Sequence, residues 1–278
     1  MNKIKNKKIF IKIFILKQIL HFFLILITFF SFNFNSYAHE LWLEPRNFNF
    51  VENQATEIDI NIGQNFFGTP FGFSNKDKKK LFLEKKNNLL EIEQRNGNFP
   101  AIQLIQLENR FTTLNYETNF EYLKYENYES FKNFLNEYNL QNILQDFDDQ
   151  NIPTENYKRF AKTLLYNDEK SFFIQKPKLD FEIIALNFPK KDEVLNLKLF
   201  HKKKPLSNWP ILIFSKDNDQ TYNEKIETNS NGEFEIYLNE DRTYLFSAVK
   251  VFKPNFLDKF KLKSDLVSLW ASLTVKAN

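Results

Sequence analysis

The chain has 278 residues, 38 of them basic and 35 acidic, a formal charge of +3 and no cysteine. Without cysteine there is no disulfide, no thiolate metal site and no thiol nucleophile, so any metal must be held by nitrogen and oxygen donors. The 33 phenylalanines and five glycines accompany many Asn, Lys and Ile residues, the signature of an AT-rich coding sequence, so aromatic content does not by itself mark a stacking surface.

Residues 1–38 divide into the parts of a secretory signal. Lys3, Lys5, Lys7, Lys8, Lys12 and Lys17 form a basic start with no acidic residue, residues 19–30 are apolar except for His21 and Thr28, and Ser36-Tyr37-Ala38 places small residues where signal peptidase reads. The apolar stretch is shorter than the roughly 20 residues needed to cross a bilayer. A cleaved signal is therefore favoured over an uncleaved N-terminal anchor, and the membrane is met only through this leader before cleavage. Cutting after Ala38 makes His39 the mature N-terminus and moves the formal charge from +3 to −3, because all six leader charges are lysines. A nearly neutral mature protein lacks the concentrated basic surface that nucleic acid requires. The runs Lys78-Lys79-Lys80 and Lys202-Lys203-Lys204 read as solvated loops beside turns.

Residues 55–62 alternate, with Ile58, Ile60 and Ile62 on one side and Glu57, Asp59 and Asn61 on the other, which predicts a half-buried strand. Residues 63–72 predict an apolar loop or bulge, with no phosphate-cradle spacing. Residues 81–83, 89–92 and 102–107 are further strand candidates, with a turn at Asn96-Gly97. From residue 128 the period changes. Phe131, Phe134, Leu135 and Tyr138 fall at helical spacing, with Ser130 placed to cap and a break near Asn139. A second helix is predicted after Pro153-Thr154, burying Tyr157, Phe160, Ala161, Leu164 and Leu165. The aromatic stripe of this helical pair reads as core.

From residue 179 strands return. Leu195, Leu197 and Leu199 alternate with Asn196, Lys198 and Phe200, 210–214 reads as a buried strand, and Ser230-Asn231-Gly232 predicts a hairpin between 225–228 and 234–238. With 244–251 and 269–275 there are about six strands in 100 residues, the spacing of an antiparallel sandwich. The expectation is a mainly β protein of two β-sandwich-like domains. Residues 39–177 would form the first, carrying an inserted helical pair at about 128–167. Residues 178–278 would form an Ig-like or transthyretin-like second, and the boundary rests on Lys176-Pro177-Lys178.

The leading candidate for chemistry is His39. At a free N-terminus its α-amine and imidazole together chelate an ion such as Ni, Co or Cu; the competing reading is that it merely follows the cut. His201, the other histidine of the mature chain, stands beside three lysines that repel a cation and reads as a loop residue. Glu40 and Glu44 are near enough in sequence to donate oxygens. No Gly-x-Ser-x-Gly elbow, His-Glu-x-x-His, Gly-x-Gly-x-x-Gly or Ser-x-x-Lys set occurs, and no serine is marked as a triad nucleophile, so the expectation is a protein that is not an enzyme. Asp146, Asp148 and Asp149 lack the glycine and closing glutamate of a calcium loop and read as an acidic turn. Trp42 and Trp270 read as core.

Several segments, in order, resemble one family. The start Ala38-His39-Glu40-Leu41-Trp42-Leu43-Glu44-Pro45 is similar to the Ala-His-x-x-Trp-x-x-Pro opening of periplasmic nickel-uptake, substrate-specific (NikM-like) components, a family of unknown-function domains. Phe131-Lys132-Asn133-Phe134-Leu135 and Tyr157-Lys158-Arg159-Phe160-Ala161-Lys162 resemble its Phe-x-x-Tyr-Leu and Tyr-x-Arg-Tyr-Ala-Lys segments. Residues 179–184, Lys204-Pro205-Leu206, 228–234 and Trp270-Ala271-Ser272-Leu273-Thr274 follow its later strands. The resemblance implies an exported, periplasmic accessory that binds nickel or cobalt and serves a membrane metal transporter. The alternative reading is a non-catalytic adhesion or scaffold module of the envelope. One departure bears on the metal: where relatives place a histidine in the late strand, this chain has Lys250.

Overall fold

The computed structural model describes residues 39–51, 54–86, 88–105, 111–217, 220–239 and 242–278; the leader expected over 1–38 lies outside them. In the first half of the chain the strands are β1 (Glu40–Pro45), β2 (Thr56–Gln64), β3 (Phe67–Phe71), β4 (Lys78–Lys85), β5 (Asn88–Glu91), β6 (Ile102–Leu104), β7 (Thr112–Thr118), β8 (Glu121–Lys124) and β9 (Thr154–Leu165). They continue as β10 (Phe181–Ala185), β11 (Val194–His201), β12 (Lys204–Pro205), β13 (Pro210–Lys216), β14 (Thr221–Glu227), β15 (Glu233–Tyr237), β16 (Thr243–Phe252) and β17 (Leu266–Lys276). Helix α1 (Tyr128–Glu137) lies between β8 and β9, and α2 (Phe256–Leu262) between β16 and β17. The chain is mainly β and sandwich-like, as its alternating patterns predict.

A central sheet runs β14-β13-β16-β17-β9-β7-β4-β5. Strand β9 is antiparallel to β7 and β8 along one side and parallel to β17 along the other. One face of this sheet, with Phe160, Leu164, Ile213, Phe246 and Leu273, is covered by the sheet of β10, β11, β12 and β15, which supplies Phe181, Ile183, Leu195, Leu197 and Leu199. The other face carries two covers. Strands β1, β2, β3 and β6 bring Leu41, Leu43, Ile58 and Ile60 onto Leu81, Leu83, Leu114, Ala161 and Leu165. Beside them α1 brings Phe131, Phe134 and Leu135 onto Leu245, Val249 and Trp270. Each such side chain, fully buried, contributes roughly 2 kcal/mol of transfer free energy, so the three layers are held by apolar burial on both faces of the middle one.

The structure corrects the second predicted helix. Residues 154–165 form the central strand β9, not a helix. Phe160 and Leu164 point to one cover and Ala161 and Leu165 to the other, so the run is apolar on both faces. A strand buried on both faces loses its two-residue alternation and reads at helical spacing. The first helix forms where its period placed it, but its cap is Asn127, whose Oδ1 accepts from the Ser130 amide at 2.8 Å and the Ser130 hydroxyl at 2.9 Å. The predicted hairpin at Ser230–Gly232 is a turn of another kind: β14 pairs with β13 in the central sheet and β15 with β11 in the covering sheet. The turn carries the chain from one layer to the next. Gly232 has φ +76°, and a Cβ there would meet the Leu206 amide nitrogen at 3.0 Å, so glycine is required.

The lysines at 78–80 open β4 and do not form a loop, with Lys80 bonded to Glu117 at 3.1 Å. The boundary expected near 177 falls between β9 and β10, and the central sheet takes strands from both sides of it. From residue 39 onward the chain forms one contact-dense unit.

Candidate functional site

His39 stands immediately before β1. Side chains alternate along a strand, so Leu41 and Leu43 enter the core under β1 while Glu40, Trp42 and Glu44 take the other side. Glu40 is buried, and its Oε1 accepts from the Tyr138 hydroxyl at 2.6 Å. Tyr138 is delivered by the end of α1, where Asn139, at φ 54°, stops the helix. The Leu140 amide then returns to the Leu135 carbonyl at 2.8 Å, a left-handed C-terminal closure. The β2–β3 hairpin supplies the remaining wall. Glu40 lies opposite Gly63, and the next residue, Gln64, donates from Nε2 to both oxygens of Glu137 at 3.3 and 3.2 Å. The result is a cavity of about 210 Å³ lined by His39, Glu40, Gln64, Asn133, Glu137 and Tyr138.

Burial, more than any charge, pushes the Glu40 carboxyl up to about 7 against the opposing pull of the Tyr138 hydrogen bond. The Tyr138 phenol is held well above its usual range, first by burial and then by Glu40. Burial also lowers the His39 imidazole, with the nearby Arg159 guanidinium adding to the effect. Arg159, buried on β9, donates from Nε to the His39 carbonyl at 3.0 Å, pairs with Glu121 at 3.3 Å and lies 4.4 Å from the Tyr157 ring centre. It locks the start of β1 to the central sheet.

The other candidate residues are dispersed. Glu44 is four residues along β1 from Glu40, roughly 13 Å at the strand rise. Its carboxylate accepts from Trp42 at 3.0 Å and Asn61 at 3.2 Å and pairs with Lys216 at 2.5 Å. His201 ends β11 in the layer covering the opposite face, its ring 6.1 Å from that of Phe181. Its imidazole is lowered by burial and then by Lys250 and Lys202. Lys250 faces the same way, its ammonium 4.4 Å from the Trp209 ring centre. A side chain at position 250 therefore points away from the His39 side of the sheet. His39 and His201 therefore do not meet. Asp146 pairs with Lys253 at 2.8 Å and Asp148 accepts the amides of Gln150 and Asn151, each at 2.9 Å, in an acidic turn. Trp42 and Trp270 are core residues.

Among the described residues no three His, Asp or Glu side chains are grouped closely enough to hold a metal ion. The pocket offers an imidazole and carboxylates, and the α-amine exposed by a cut after Ala38 would add a further nitrogen on His39 itself. Sequence reasoning reached His39 and Glu40 but took Tyr138 only as core and gave no role to Glu137 or Arg159. Three cations within Tyr157–Lys162, inside an otherwise apolar run, were the available signal for buried charge.

The fold and the pocket together define a three-layer β protein with a small pocket at the start of β1. Residues 36–251 match the family described as domain of unknown function DUF4198, and the chain belongs to that family. No curated protein matches. A solved structure, described as a tetra-tandem repeat in the extending region of a large adhesion protein, shares 11% identity over 86% of this chain. The chain spans 50% of that structure's length, and the TM-score is 0.20.

Proposed function

We propose that this chain is an exported, non-catalytic metal-handling accessory. The amine and imidazole of a mature N-terminal His39 chelate a divalent nickel, cobalt or copper ion at the mouth of the pocket, for delivery to a membrane transporter from the periplasm. The observation that supports this reading is that His39 lines a cavity together with the carboxyl groups of Glu40 and Glu137. Nitrogen and carboxylate donors together suit borderline divalent ions. Arg159 does not oppose this by occupying the cavity, since its guanidinium is bonded to the His39 carbonyl and to Glu121. The test is calorimetric titration of Ni, Co and Cu into protein that begins at His39. His39→Ala should weaken binding at least about tenfold, the loss of one chelating nitrogen at roughly 1.4 kcal/mol or more. Absence of binding, or equal binding by the variant, would sink the proposal.

A further inference from the structure

Antiparallel neighbours can be joined by two residues, yet β16 and β17 are joined by residues 253–265, which carry α2. Three large apolar side chains of this helix stand in water: Phe256 is 86% exposed, Leu257 69% and Phe260 80%. At 3.6 residues per turn they occupy about 100° of arc, with Lys259 and Lys261 on its two flanks. The opposite side is fastened to the body. Leu262 packs against the core, and its carbonyl accepts from Asn156 Nδ2 at 2.8 Å. Asn255 caps the helix by accepting from the Asp258 amide at 2.9 Å, and Lys263 closes it at φ 54°. A helix this short is marginal alone; here both ends and the inner side are fixed, so the apolar side is presented outward by construction.

We infer that this protrusion docks the protein on an anionic lipid surface, Phe256, Leu257 and Phe260 entering the headgroup region while Lys259, Lys261 and Lys263 meet lipid phosphates. Apolar residues flanked by lysines are the pattern of interfacial helices. Charge complementarity selects the occupant: the tip gathers lysines although residues 39–278 carry a net −3. Of the two acidic residues in 253–265, Asp258 is engaged by Asn255 at 2.8 Å, and Asp265 at the far end accepts from the Thr154 amide at 3.0 Å and hydroxyl at 2.8 Å. No residue of the His39 pocket takes part, so the inference stands or falls apart from metal binding.

The experiment is co-sedimentation of protein beginning at His39, with a chelator present, against vesicles of phosphatidylglycerol mixed with phosphatidylcholine and vesicles of phosphatidylcholine alone. The chain should bind the anionic vesicles preferentially, and added salt should weaken it. Replacing Phe256, Leu257 and Phe260 together by Ser should lower partitioning about tenfold or more. Lys259→Glu with Lys261→Glu should abolish the preference for phosphatidylglycerol, each lysine near an anionic surface strengthening binding about fivefold. All five side chains are exposed, and an unchanged melting curve checks folding. No binding by the parent chain, or binding unaffected by both variants, would overturn the inference. So would finding that the serine substitutions abolish self-association and leave vesicle binding intact.

Discussion

Lys162 lies wholly buried in β9, its ammonium 2.7 Å from Glu182, whose other oxygen accepts the amides of Lys178 and Leu179 at 2.5 and 2.7 Å. Removing one partner of such a pair strands the other charge in the core, at a cost of about 3–5 kcal/mol. Urea unfolding of Lys162→Met should show a loss in that range, and adding Glu182→Leu should recover part of it; an unchanged midpoint would refute the assignment. Glu155 makes a second prediction. It is buried against Tyr125 and Ser268, and burial holds its carboxyl above the ordinary glutamate value of about 4.3. The folded chain therefore keeps this proton where the unfolded chain has lost it. The stability it contributes is full below that ordinary value and is lost as pH rises through the raised one. Glu155→Gln should flatten that part of the stability–pH curve, and an identical slope in the variant would count against it. Neither ion pair was legible in the sequence: Lys162 and Arg159 announce themselves as cations in an apolar run, but Glu182 and Glu121 are far along the chain and any of many acids could have served.

At the scale of elements, legibility followed locality. The end of α1 at Asn139 was readable because a left-handed C-terminal closure is made within the helix's own last turn. Strand β2 was readable because its faces differ in burial, whereas β9 was not, because both its faces are apolar. The β2–β3 hairpin, read only as an apolar loop or bulge, shows what a sequence pattern leaves out. Gly68 sits beneath the Trp42 indole, and a Cβ there would come within 2.3 Å of its ring. Gly68→Ala should push Trp42 or the hairpin aside and lower stability by about 1–3 kcal/mol, the range for overpacking. Because Gln64 belongs to the same hairpin, the variant should also loosen the pocket wall against Glu137. A thermal melt checks the first effect, and a variant as stable as the parent would show that the hairpin yields freely.

At the scale of the whole molecule, the sheet that joins the two halves of the chain governs folding. Strand β9 precedes the expected boundary and pairs in parallel with the last strand, β17, from Leu266↔Glu155 to Thr274↔Thr163. Composition and strand spacing foretold a mainly β sandwich, but long-range pairing leaves no trace in local pattern. Residues 39–177 and 178–278 expressed apart should each fail to fold, and residues 39–278 should unfold in one transition by tryptophan fluorescence and circular dichroism; two separated transitions would contradict this. The same architecture fixes β1 across the central sheet and so fixes where a mature N-terminus would lie, beside Glu40 and Glu137. One comparison isolates that terminus: nickel titrated calorimetrically into protein beginning at His39 and into the same protein with the His39 α-amine acetylated. All side chains of the pocket are shared, and only the α-amine on His39 is lost. The account predicts binding at least about tenfold weaker in the acetylated chain, and equal affinity, or no binding by either, would contradict it.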